Sequence, residues 1–180
     1  MTPMDRHPDR HSPLVFDTRE LSRRAGTMRE VERTVPAPAD LRLEVIEVPE
    51  GSDIELDLRL EAVVEGVLVT GTATVQLQGE CARCLTGIED DMSFDLQELF
   101  FHPGREVDEE ERLVEDESID LEPVLRDAVV MDLPFTPLCR EDCLGLCPEC
   151  GANLNDDPDH EHDLAVDPRW SKLVGMDVEE

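Results

Sequence analysis

Apolar and polar residues alternate along much of the stretch from residue 41 to residue 100. Ile54, Leu56, Leu58 and Leu60 interleave with Asp53, Glu55, Asp57, Arg59 and Glu61, a period of two with one dry and one wet face. Val67, Val69, Gly71, Ala73, Val75 and Leu77 repeat the pattern against Leu68, Thr70, Thr72, Thr74, Gln76 and Gln78. Leu41, Leu43 and Val45, and later Phe94, Leu96 and Leu99, predict two further strands. Turn residues separate these runs at Pro49-Glu-Gly51, Glu65-Gly66 and Gly87. No helical crossover lies between the runs, so the strands pair antiparallel in a small sheet or barrel-like core.

Helical periodicity is confined to short segments. Leu121, Val124, Leu125, Ala128 and Val129 fall at i, i+3, i+4, i+7 and i+8, with Asp120 as N-cap, Pro123 in the first turn and Pro134 as stop. A second helix is expected from Asp17 to Glu32, capped by Asp17 or Thr18 and closed by Pro36 and Pro38. A third short one is expected at 167–173, anchored by Trp170. The stretch 103–120 holds nine acids and two Arg and reads as a solvated loop kept extended by repulsion. The expected class is therefore α+β. A disordered arm spans 1–15, the core domain spans 16–134, and a Cys-rich segment with the terminal helix spans 135–180.

Charge narrows the function classes. The 180 residues carry 45 acids against 16 bases, a net charge of −29, which repels phosphate backbones and attracts basic partners. Seven of the Arg residues fall within 1–40, where seven acids balance them; Arg19 to Arg33 is the one stretch suited to touching RNA. No apolar run approaches the roughly 20 residues of a membrane span, and the start MTPMDRHPDRHSP has no apolar signal core. A cytoplasmic location follows as an expectation, and with it reduced thiols.

In that setting the cysteine spacing points to metal. Cys81-x-x-Cys84 forms one pair; Cys139, Cys143, Cys147 and Cys150 form a second group, followed by His160 and His162. Cys147-Pro-Glu-Cys150-Gly151 reads as a zinc knuckle, in which a tight turn presents two thiolates and the glycine frees the backbone to face the sulfurs. Six cysteines and two histidines suffice for two closed tetrahedral zinc sites: Cys81, Cys84, Cys139 and Cys143 in one, Cys147, Cys150, His160 and His162 in the other. The alternative is one site of Cys139, Cys143, Cys147 and Cys150, with Cys81 and Cys84 free. Neither Cys-x-x-Cys pair sits at a helix start in a βαβ pattern, which disfavours redox catalysis. No phosphate loop, nucleophile elbow or His-Glu-x-x-His motif is present, so the chain is expected not to be an enzyme.

From Phe16 to Trp170 the sequence resembles the YceD family, the large ribosomal RNA subunit accumulation proteins. The likeness rests on Gly79-Glu-Cys81-Ala-Arg-Cys84-Leu85, Glu98-Leu-Phe100, Glu122-Pro-Val-Leu-Arg-Asp127 and the run Leu133-Pro-Phe-Thr-Pro-Leu-Cys139 through Cys150-Gly151 to Asn155. Asp17-Thr-Arg-Glu-Leu and Asp167-Pro-Arg-Trp170 look like its actinobacterial branch. One departure is His160-Glu-His162, where many relatives carry Cys-x-Cys. The resemblance implies a non-catalytic role in accumulating 23S ribosomal RNA. Joined to the acidic surface, it yields two expectations. The first is a basic ribosomal protein or a large-subunit assembly intermediate as partner; the second is direct contact with rRNA through the Arg-rich arm.

Overall fold

The computed structural model describes residues 12–21, 25–104 and 111–162. Among them lie eight strands and one helix: β1 (Val15–Asp17), β2 (Met28–Pro36), β3 (Ile46–Glu47), β4 (Asp53–Ala62), β5 (Gly66–Glu80), β6 (Gly87–Phe101), β7 (Arg112–Leu113), β8 (Ser118–Asp120) and α1 (Glu122–Asp132). No helix among the described residues is long and apolar enough to cross a membrane. The main sheet runs in the order β2-β4-β5-β6-β7, and β3 pairs with the far end of β5 beyond β4. All pairings are antiparallel except the short parallel contact of β6 with β7.

The period-two reading places β4 and β5 correctly. Ile54, Leu56, Leu58 and Leu60 are buried, as are Val67, Val69, Ala73, Val75 and Leu77, while their alternates face outward. On the inner face Ala73 stands opposite Phe94, so a small residue makes room for a fully buried ring. Helix α1 packs on β6 with Val124, Leu125 and Val129 buried. Its N-cap residue is Leu121, but the Asp120 carboxylate still accepts the Glu122 N–H at 2.9 Å, as a capping side chain does. Leu133 ends the helix immediately before Pro134.

Gly71 lies in mid-strand with φ +152, and a Cβ added there would lie 2.1 Å from the Asp57 carbonyl oxygen on β4. Only a residue without a side chain allows β4 and β5 to approach this closely. A Gly71→Ala variant should lose about 1–3 kcal/mol of stability, read as a lowered urea midpoint.

Three expectations are corrected. Among the described residues no helix lies between Asp17 and Glu32: after β1 the chain turns, and β2 pairs with β4 along nine residues. The alternation in β2 is real but disguised, because two of its inward positions are arginines. Arg29 Nη2 donates to the Asp17 carbonyl at 3.0 Å, and Arg33 Nη1 donates to the Pro13 carbonyl at 3.0 Å with its guanidinium 4.6 Å above the Phe16 ring. Second, Leu41, Leu43 and Val45 do not form a strand. Residues 41–48 fold back on themselves, with Leu43 N–H on the Ile46 carbonyl and Val48 N–H on the Leu41 carbonyl, and the strand is the shorter β3. Third, the acidic stretch 103–120 is not an open loop throughout. Its second half supplies β7 and β8, and Ile119, wholly buried, pairs with Phe16. The helix expected at 167–173 and the arm up to residue 11 lie outside the described residues.

Candidate metal centre

The turn of the long β5–β6 hairpin is Cys81 to Thr86, closed by Cys81 N–H on the Thr86 carbonyl at 2.8 Å and Leu85 N–H on the Cys81 carbonyl at 2.9 Å. This puts both sulfurs of Cys81-x-x-Cys84 at one end of the sheet. The segment after α1 returns to that end and docks there: Ala82 N–H donates to the Pro137 carbonyl, and Arg83 Nη1 to the Cys143 carbonyl at 2.9 Å. Cys139 and Cys143 thereby meet Cys81 and Cys84. All four sulfurs lie within 4.8 Å of one another, Cys81 and Cys143 at 3.7 Å and Cys84 and Cys139 at 3.5 Å. Four sulfurs around a tetrahedral ion at about 2.3 Å stand about 3.8 Å apart, so this spacing suits a shared ion. It is far too long for a disulfide, and all six cysteines are free.

The second cluster forms a few residues on. Cys147-Pro-Glu-Cys150-Gly151 is a tight turn in which Gly151 N–H bonds the Cys147 carbonyl at 2.9 Å, and Gly151 has φ +75. Residues 153–162 then bring the imidazoles back over it. Cys147 Sγ lies 3.1 Å from His162 Nε2, Cys150 Sγ lies 3.1 Å from His160 Nε2, and the two Nε2 atoms are 2.9 Å apart. Each imidazole turns its other nitrogen to a carboxylate: His160 Nδ1 to Asp157 at 3.5 Å and His162 Nδ1 to Glu149 at 3.6 Å. Nε2 is thereby the nitrogen that each ring presents to the sulfurs. The eight candidate residues thus fall into the groups Cys81, Cys84, Cys139, Cys143 and Cys147, Cys150, His160, His162. The alternative grouping of the four C-terminal cysteines is not what the fold brings together.

The thiols are set up to ionise unevenly. At Cys81 burial opposes the charge, but N–H donors from Cys139, Cys84 and Arg83 outweigh it and bring the pKa down to about 6. At Cys147 the N–H groups of Cys150 and Glu149 do the same, again to about 6. The Thr86 hydroxyl lowers Cys84, while its hydrogen bond to Cys84 and desolvation push Cys139 up to about 12. Backbone amides aimed at sulfur are the mark of a turn shaped around thiolate ligands. Asn155 ties the arms together: its Oδ1 accepts from Leu144 N–H at 2.9 Å and Arg140 Nη2 at 2.6 Å, and its Nδ2 reaches Cys143 Sγ at 3.4 Å. Sequence reading missed Asn155 and Thr86 as site residues, since nothing in their spacing marks them.

A sequence model of the family described as the large ribosomal RNA subunit accumulation protein YceD matches residues 69–176. The uncharacterized protein Rv2926c of Mycobacterium tuberculosis is 48% identical over 92% of this chain and 82% of its own length. ML1660 of Mycobacterium leprae is 45% identical over 92% and 78%, and YlbN of Bacillus subtilis is 25% identical over 72% and 83%. No solved structure matches the chain.

Proposed function

Because the chain belongs to the YceD family, we propose that it is a non-catalytic, cytoplasmic ribosome biogenesis factor supporting the accumulation of large-subunit (23S) ribosomal RNA. It does so by holding a basic ribosomal protein, or an assembly particle containing one, and its two clusters bind structural zinc. The family's description supports the first part. The observation that carries the second is the outer face of the sheet. Glu30, Glu32, Glu55, Asp57, Asp91 and Asp95 all point to solvent there, and Glu32 stands directly across from Asp57. Like charges placed opposite each other on a sheet destabilise it. The one base among these outward positions, Arg59, stands across from Glu30 and is bound to Glu61 at 2.9 Å, which leaves the Glu32–Asp57 pair unrelieved. A cationic partner would.

Zinc is favoured by the donor sets, four thiolates and two thiolates with two imidazoles, both common in structural sites. Four protein ligands complete a tetrahedral shell and leave no position for a substrate, which supports a non-catalytic role. Direct RNA contact by the N-terminal arm is the weaker reading. Arg29 and Arg33 hold the chain around Pro13–Asp17, and Arg19 lies against Asp17 and Glu117.

Pull-down of purified large-subunit proteins at rising salt tests the partner. Binding should be strong at low ionic strength and fall away near 0.15 M, where screening acts over about 8 Å. A complex indifferent to salt would contradict it. Replacing Arg6, Arg10, Arg23 and Arg24 with Gln should leave that binding intact and reveal any RNA contribution.

A further inference from the structure

The two knuckles share one backbone hydrogen bond and a positive φ after the second cysteine, but carry different residues at that position. In Cys147-Pro-Glu-Cys150-Gly151 the position after the second cysteine is glycine at φ +75, with its N–H on the Cys147 carbonyl at 2.9 Å. In Cys81-Ala-Arg-Cys84-Leu85 the same position, with the same hydrogen bond at 2.9 Å, is leucine at φ +58. A branched apolar side chain in the left-handed region is an outlier; glycine adopts it freely. The leucine gains nothing from burial in return, since it is 61% exposed.

A second exposed leucine lies on the turn that docks against this one. Leu144 follows Cys143 as Leu85 follows Cys84, and the two sulfurs lie within 4.8 Å of each other. Leu144 is 53% exposed. The junction between them is held by Arg83 on the Cys143 carbonyl and by Gly145 lying against Arg83. The exposed acids Glu80, Glu89, Asp90, Glu141 and Asp142 flank the two turns. Both nearby bases are engaged internally: Arg83 with Cys143, and Arg140 with Asn155 and Asp142.

We propose that Leu85 and Leu144, displayed on the two clustered turns and rimmed by acids, form the docking surface for a cationic polypeptide segment that lays apolar side chains against the two leucines. This rests on the reading of a basic protein partner and says where and how that partner is gripped. Backbone strain tolerated at an exposed residue is the signature of a position kept for contact rather than for folding. Apolar anchors within a charged rim are how protein interfaces concentrate affinity.

The probes are two synthetic peptides of equal length and charge, one of lysine and leucine, the other of lysine and serine, followed by fluorescence anisotropy on the metal-loaded full chain. The wild type should bind the leucine peptide about tenfold more tightly. A Leu85→Gly/Leu144→Ser variant should lose that preference, bind the serine peptide unchanged, and melt no lower than wild type, because glycine relieves the positive φ. Leu144→Ser alone should lose about threefold and carries the test should the pair disturb the turn. Unaltered preference in these variants, or no preference in the wild type, overturns the docking surface and leaves the charge-based reading standing. Failure to bind either peptide at low salt overturns both.

Discussion

Replacing Cys81 with serine is expected to cost the protein one of two bound ions and to free residues 137–155 from the sheet, while the sheet itself stays folded. The main core is one continuous cluster reaching from Leu14 to Leu133, and it includes no cysteine. Beyond Leu133 the apolar content is thin: Leu138 and Leu146 are only partly buried and pack around Cys81, Cys84 and Cys143 with Ile88. On the proposed reading a metal supplies the order that so few apolar contacts do not. Structural zinc supplies an apparent free energy on the order of 10–16 kcal/mol in small zinc modules, more than the few contacts here offer. Limited proteolysis should therefore cut Cys81→Ser between Pro137 and Asn155 and leave the part before α1 resistant. Cys147→Ser should open only the end beyond Gly145. Equal resistance of Cys81→Ser and wild type would mean that the hydrogen bonds from Ala82 and Arg83 suffice to hold the tail.

Phe94→Ala is expected to act on the other half of the molecule. The Phe94 ring is 1% exposed and faces Ala73, itself fully buried, across the β5–β6 pair. With alanine on both strands nothing can close the void, so a loss of about 3–5 kcal/mol is expected. Against typical stabilities of roughly 5–15 kcal/mol, that lowers the melting temperature by on the order of 10 °C. Metal content should not change, because Phe94 belongs to the core cluster and not to the cysteine cluster. Phe135→Ala, at an exposed phenylalanine, is the control and should shift stability by no more than about 0.5 kcal/mol.

Legibility in the sequence followed how plainly each physical constraint is written in residue type. Strands β4 and β5 bury one face and wet the other, so their alternation is uninterrupted. In β2 the positions on the core side alternate Arg29, Val31, Arg33, Val35, and each guanidinium donates to a carbonyl between Pro13 and Asp17, a partner no local pattern reveals. Charge and cap residues there mimicked a helix, although Gly26, at φ +86, already interrupted it. Strand β8 was hidden among acids because Ile119 is its one apolar residue. The two Cys/His groups were readable because residue identity and count are chemical facts of the sequence. The contribution of Asn155 was not, since it depends on how the arms cross. The positive φ at Leu85 is likewise a property of the turn and not of the residue.

Zinc per chain, measured by native mass spectrometry on full-length protein purified under reducing conditions, tests the account most directly. Two ions are predicted, falling to one in Cys81→Ser and one in Cys147→Ser, with the remaining ion differing between the two variants. Protein folded as here but free of metal would contradict it, as would a wild type holding a single ion that either substitution abolishes.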